Sequence, residues 1–163
     1  MGISALGLDV GKKRIGVAGC DRTGLIASGL LTIERRSFNQ VLELFQQLVQ
    51  ERQVQILVVG LPYSMNGTLG FQARHVQKFA GSLSKALQLP VEYVDERLTS
   101  FHAEELLRME GISPSRHKGL VDRKAACLIL QQWLDERRLA EHRKRELLAN
   151  DKDRLKESQE HVE

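Results

Sequence analysis

The stretch that decides the fold is Ile3-Ser4-Ala5-Leu6-Gly7-Leu8-Asp9-Val10-Gly11-Lys12-Lys13-Arg14-Ile15-Gly16-Val17-Ala18-Gly19-Cys20. Two short, mostly apolar runs, Ile3 to Val10 and Ile15 to Cys20, flank the turn Gly11-Lys12-Lys13-Arg14. A third apolar run follows from Leu25 to Ile33. Short runs of strand-forming residues broken by glycine- and charge-bearing turns read as an antiparallel meander.

Beyond Ser37 the period changes. Phe38, Val41, Leu42, Phe45, Leu48 and Val49 recur at helical spacing, with Ser37 placed as N-cap. Ile56-Leu57-Val58-Val59 is an uninterrupted apolar run before Gly60-Leu61-Pro62, as a strand covered on both faces requires. A second helix is expected from about Phe71 to Leu87, with Val76, Phe79, Ala80, Leu83 and Leu87 inward. Val91 to Val94 reads as a fifth strand, and Thr99 to Glu110 as a helix stopped at Gly111. A last firm helix is expected from near Asp122, carrying Ala125, Ala126, Ile129, Leu130, Trp133 and Leu134. This order describes an α/β domain with a five-stranded mixed sheet flanked by helices. In such folds chemistry gathers at the carboxyl ends of the parallel strands.

The chain has 163 residues, 42% hydrophobic and 28% charged, enough for one domain with one sizeable core. No apolar run is long enough to span a bilayer, and the first residues lack the pattern of a signal peptide. Cys20 and Cys127 lie far apart without metal-ligand spacing. Cys127 sits in an apolar helical run, so a buried reduced thiol is expected there. These features point to the cytoplasm. The net charge of +3 is too small to identify a partner by itself. Residues 1–138 carry 18 Lys and Arg against 14 Asp and Glu, or +4; the last 25 carry 6 against 7, or −1. The expected division is a domain over 1–138 and a charged tail over 139–163, either a helical extension or disordered.

Three carboxylates stand where they are hard to explain. Asp9 interrupts the first strand, and an isolated ionised carboxylate there needs partners or a metal. Glu96 follows Asp95 at the end of the fifth strand. Asp122 precedes Ala125, Ala126, Ile129 and Trp133 at spacings that place it on the helix's buried face, where the two alanines allow a close approach to the sheet. Each has a plainer reading: Asp9 as a strand-ending Asx turn, Glu96 or Asp95 as an ion pair with Arg97, Asp122 as a helix N-cap. Taken singly, the plainer reading is favoured. Three converging on one end of a sheet instead suit Mg²⁺ or Mn²⁺, which take oxygen ligands and clamp the oxygens of a phosphodiester.

Basic residues surround them. Lys12, Lys13 and Arg14 follow Asp9, Arg97 follows Glu96, and Arg116, Lys118, Arg123 and Lys124 flank Asp122. They would offset carboxylate repulsion and hold a phosphate backbone, although a solvated basic face explains any single lysine equally well. His117 reads as a solvated loop histidine. The loop from Pro62 to Gly70 either closes through the turn-forming Asn66-Gly67 or grips a phosphate with its amides and the Thr68 hydroxyl.

Four motifs together resemble the YqgF family, also called RuvX. They are Gly7-Leu8-Asp9-Val10-Gly11 with Ile15-Gly16-Val17-Ala18, and Gly60-Leu61-Pro62 with Met65-Asn66-Gly67-Thr68. Asp95-Glu96-Arg97-Leu98-Thr99-Ser100, and Lys118-Gly119-Leu120-Val121-Asp122 with Ala125-Ala126, complete the set. The resemblance covers roughly residues 3–138. It implies an RNase H-like fold, a metal-holding catalytic triad at Asp9, Glu96 and Asp122, and a role in maturing the 5′ end of precursor 16S ribosomal RNA. The family has also been described as a Holliday-junction resolvase by analogy, which makes structured DNA the alternative substrate. One departure is Gly29, where the family pattern leads one to expect proline.

Two rivals belong to other classes. A non-catalytic nucleic-acid-binding module would not need all three carboxylates, and a metal-dependent cleavage assay separates it. A sugar-kinase or actin-like ATPase has a similar Asp-Val-Gly loop but needs two lobes, and ATP binding separates that one. With 5% aromatic residues and no evident stacking ladder, sequence-specific single-strand readout has little support, and RNA and DNA are not distinguished. Oligomeric state stays open.

Overall fold

The computed structural model describes residues 2–62, 70–96 and 99–162. The elements in chain order are β1 (Ala5–Val10), β2 (Arg14–Cys20), β3 (Ala27–Glu34), α1 (Phe38–Arg52), β4 (Ile56–Leu61), α2 (Phe71–Leu87), β5 (Val91–Asp95) and α3 (Thr99–Met109). A 3₁₀ turn (Pro114–Arg116) then leads into α4 (Lys118–Glu160). The sheet order is β3-β2-β1-β4-β5. β1, β2 and β3 pair antiparallel, whereas β1 with β4 and β4 with β5 are parallel. The carboxyl ends of β1, β4 and β5 therefore meet at one rim. This is the mixed five-stranded sheet that the chain pattern describes.

Side-chain alternation divides the sheet between two cores. Leu6, Leu8, Val10, Ile15, Val17, Leu57, Val59 and Leu61 pack with Val41 and Phe45 of α1 and Val76, Phe79 and Leu83 of α2. On the other face Ala5, Ala18, Ile56, Val58 and Val94 meet Ala126, Ile129, Leu130 and Leu134 of α4. The first core is built from large aliphatic side chains; the second is thinner, and α4 lies close over it.

Local chemistry accounts for the boundaries. The Ser37 side chain accepts from the Gln40 amide and starts α1, as expected. β3 begins at Ala27 rather than Leu25, because the Asp21 carboxylate accepts from the amides of Leu25 and Ile26 and holds them in the turn. Helix α4 starts at Lys118, earlier than expected. A glycine is tolerated in this first turn, where the amides lack helical acceptors in any helix, and the Gly119 carbonyl accepts from the Thr32 hydroxyl and from Arg123 Nε. Asp122 therefore lies inside the helix, and the N-cap position falls to His117. Residues 139–160 continue the same helix, with i,i+4 pairs such as His142 with Glu146 at 3.1 Å. Cys20 is buried and free; Cys127 is free but half-buried, at the margin of the second core.

Candidate active site

Each carboxylate reaches the rim by a different route. Asp9 alternates with Leu8 and Val10, which enter the α1/α2 core, so its side chain faces α4. It pairs across the ladder with Gly16. Glu96 follows β5, but its amide still donates to the Leu61 carbonyl at 3.2 Å, which extends the strand register by one residue. Val94 belongs to the α4-side core, so Glu96, two residues on, turns to the same side. Asp122 arrives from above on the second turn of α4.

Two glycines make the convergence sterically feasible. A Cβ on Gly16 would lie 1.9 Å from the Asp122 carbonyl oxygen, so only glycine lets α4 descend onto β2 there. A Cβ on Gly60 would lie 2.7 Å from Glu96 Oε2 and 2.4 Å from Ile129 Cδ1. The missing side chain of Gly60 is the space that the Glu96 carboxyl occupies.

Asp9 and Glu96 are hydrogen-bonded to each other through their side chains. Two carboxylates can bond in this way only if one carries a proton. Burial, reinforced by the Asp122 charge, pushes Asp9 up to about 6, while the bond from Glu96 pulls it the other way. Burial pushes Glu96 up to about 8, helped by the charge of Asp9, the bond to it and the charge of Asp95. Both carboxyls are raised, so the pair holds one shared proton that burial and the bond between them retain.

Asp122 is close enough to raise Asp9 electrostatically, yet its own carboxylate is engaged elsewhere. Arg14 Nε donates to Asp122 Oδ2 at 2.7 Å. Among the described residues no three acidic, histidine or cysteine side chains form a ready metal cage. The donor set nevertheless fits a hard divalent cation. All donors are oxygens, two of the carboxyls share a proton, and among the described residues the Arg14 bond leaves Asp122 Oδ1 uncommitted. A dication in place of that proton would satisfy the same need for positive charge.

The basic residues spread around this centre. Lys12 and Lys13 are exposed on the β1–β2 hairpin, closed by the Gly11 amide donating to the Arg14 carbonyl at 2.9 Å. Lys118 lines a cleft of about 400 Å³ with Arg14, Glu104, Arg108 and Asp122. Arg123 is half-buried against β3, where a Cβ on Gly29 would sit 3.3 Å from its own Cβ. Lys124 pairs with Glu110 at 3.8 Å. His117 is exposed beside the Ser113 carbonyl. Arg97, Met65, Asn66, Gly67 and Thr68 lie outside the described residues. Sequence reasoning missed that Arg14 serves Asp122; its position beside Asp9 gave no sign of a partner on a distant helix.

This sheet with its flanking helices superposes on two solved structures. Thermus thermophilus RuvC in complex with a Holliday junction substrate superposes with a TM-score of 0.51 at 13% identity, over 83% of this chain and 95% of that one. The fowlpox virus resolvase in complex with Holliday junction DNA gives 0.50 at 8% identity, over 82% and 98%. At such identities the likeness establishes the fold, which is RNase H-like. The family and the relatives that the chain matches make it a nuclease, an enzyme that hydrolyses phosphodiester bonds. More specifically, the chain belongs to the RuvX family, described as Holliday junction resolvase, whose pattern matches residues 3–136. Similar relatives include a protein of Trichormus variabilis, 74% identical over 136 residues, covering 83% of this chain and 90% of the relative. Another, from Crocosphaera subtropica, is 68% identical over 136 residues, covering 83% and 95%. Both carry the name "Putative pre-16S rRNA nuclease".

Proposed function

We propose that this chain is a divalent-metal-dependent nuclease that trims the 5′ end of precursor 16S ribosomal RNA in the cytoplasm. The observation that carries the chemistry is the Asp9–Glu96 pair, two half-buried carboxyls sharing a proton at the rim where β1, β4 and β5 end. The names of the relatives from Trichormus and Crocosphaera supply the substrate.

In this reading Asp9, Glu96 and Asp122 hold Mg²⁺ or Mn²⁺. The bound metal would stabilise charge on the attacking and leaving oxygens and ease deprotonation of water. Arg14 positions Asp122 and balances its charge. Lys12, Lys13, Arg97, Lys118 and Arg123 hold the phosphate backbone across the rim, a term that is sequence-independent and salt-sensitive. We assign the catalytic unit to residues 1–138 and regard 139–163 as an appendage not needed for hydrolysis.

The alternative substrate is a four-way DNA junction, favoured by the description of the matching family. Offering the purified protein a precursor 16S 5′ leader and a four-way junction side by side, with Mg²⁺ or Mn²⁺, separates the two. Preferential cutting of the leader is expected. Preferential cutting of the junction would transfer the assignment to DNA, and cutting of neither would leave a non-catalytic binding module.

A further inference from the structure

A second feature lies at the same end of the sheet but on the opposite face. A cavity of about 330 Å³ opens where the first turns of α1 and α2 come together under the β1–β2 hairpin. Its lining combines the cations Lys12, Arg35 and Arg36 with the rings of Phe38, Phe71, His75 and Phe79. No carboxylate is among its described lining residues.

The arrangement is ordered. The Arg35 guanidinium lies over the Phe79 ring, 4.5 Å from its centroid. Its Nη1 donates to the Gly11 carbonyl at 2.7 Å and lies 3.1 Å from His75 Nε2. A guanidinium only donates, so His75 Nε2 is the acceptor and its ring proton sits on Nδ1. Phe38 stands edge-on to Phe79 with centroids 6.1 Å apart. Phe71 opens α2 with 84% of its surface in solvent, outside the helix's buried stripe.

Two helix N-termini face this space. Ser37 caps α1, but Gly70 offers α2 no side-chain cap. The dipoles of both helices favour an anion there, beside Lys12 and Arg36, whose Nη2 also lies 3.6 Å from Glu34 Oε2. A free phosphate would use the cations and dipoles but would leave the rings idle. A nucleobase would use the rings but not the cations. Flat π-faces next to a phosphate-seeking corner match one unpaired nucleotide of a strand.

We propose that the cleft between α1 and α2 is a second nucleic-acid subsite, which takes an unpaired nucleotide of the substrate strand with its base against Phe71 and its phosphate at Lys12 and Arg36. The inference rests on the nuclease reading and adds to it how the substrate is recognised. From Asp9 to Lys12 the chain advances three residues, at most about 11 Å. A strand lying over the hairpin can therefore reach the carboxylates and this cleft at once. The geometry selects a substrate with an unpaired stretch beside the bond to be cut.

The test is made on the full-length protein with divalent metal withheld, so that nothing is cleaved. The probe is a single-stranded RNA hexanucleotide carrying one 2-aminopurine, whose fluorescence is quenched by stacking. Wild-type protein is expected to quench it on binding. Phe71→Ala and Phe71→Leu should each abolish the quenching and raise Kd about tenfold, because leucine retains the bulk without the π-face. Both variants should melt like wild type, since the ring is exposed. Arg36→Ala should lower the salt dependence of binding while quenching persists. AMP at equal concentration should leave the hexanucleotide bound. Unchanged quenching and Kd in both Phe71 variants would overturn the subsite, and displacement by AMP would overturn its assignment to a strand. Cleavage by wild type with Mg²⁺ restored is scored separately. Normal cleavage with no effect at Phe71 would sink this inference alone; absent cleavage with the Phe71 effect intact would sink the nuclease reading alone.

Discussion

The two faces of the sheet solve opposite problems. Under α1 and α2 the sheet presents Leu6, Leu8, Ile15, Val17 and Leu57, closed by Phe45, all fully buried. Under α4 the same strands present Gly7, Asp9, Gly16, Ala18 and Gly60. Large side chains on the first face exclude water and supply most of the hydrophobic stabilisation. Small ones on the second let a helix come within backbone contact and bring Asp122 close enough to Asp9 to act on its charge. One face makes the fold stable, and the other gives up apolar area to gather like charges, so stability and chemistry can be perturbed separately.

Substitution on each face should therefore fail differently. Phe45→Ala should destabilise by about 3–5 kcal/mol, read from denaturant unfolding, while the folded fraction cuts normally. Gly16→Ala drives a methyl into the Asp122 carbonyl and should destabilise by about 3 kcal/mol or more, since helix backbone must shift to make room. Its cleavage should also drop about 10²-fold, because a shift near 1 Å misaligns the site. Normal cleavage in Gly16→Ala would show that the approach of α4 is not what positions Asp122.

A smaller effect appears in the pH dependence of stability without metal. Below about pH 4.5 Glu96 is protonated whether the chain is folded or not. As pH rises from there to about 8, the unfolded chain releases this proton while the folded one keeps it, so stability falls. Asp9 adds a loss of the same sign from 3.8 to about 6. Above these windows the penalty is constant. In EDTA, Glu96→Gln should melt like wild type near pH 4.5 and be more stable by on the order of 2–4 kcal/mol at pH 8. A difference that does not grow with pH would mean Glu96 is not held protonated. The smallest effect belongs to the tail: residues 142–160 are exposed, and truncation after Arg143 should move stability by less than about 0.5 kcal/mol. A large drop in Tm would make the extended helix part of the fold.

The contrast between the faces also sets what the sequence could reveal. The α1/α2 side was legible because its apolar residues repeat at regular spacing within each element, as in Val41 and Phe45 or Val76, Ala80 and Leu83. Asp9, Glu96 and Asp122 stood out because each breaks such a pattern, and Ala125-Ala126 announced a close approach. What the alanines approach was not legible. Gly16 meets Asp122, and Arg14 binds it, across more than a hundred residues, and no local pattern encodes such a pairing. The α1–α2 cleft escaped for a related reason. Arg35, His75 and Phe71 are ordinary residues in sequence, and only the fold brings them together.

The most direct test of the account is a cleavage assay on the single amide variants Asp9→Asn, Glu96→Gln and Asp122→Asn, with Mg²⁺ or Mn²⁺ titrated and folding followed in parallel. Each substitution removes a charge and nearly preserves shape. If the three carboxylates share divalent ions, each variant should stay folded, keep or tighten its hold on nucleic acid, and lose several orders of magnitude in rate. Double variants should lose little more than single ones, because groups acting as a unit are not additive. Full activity in Asp122→Asn with unchanged metal dependence would remove it from the ligand set and leave it as a partner for Arg14. Full activity in all three would contradict the site altogether.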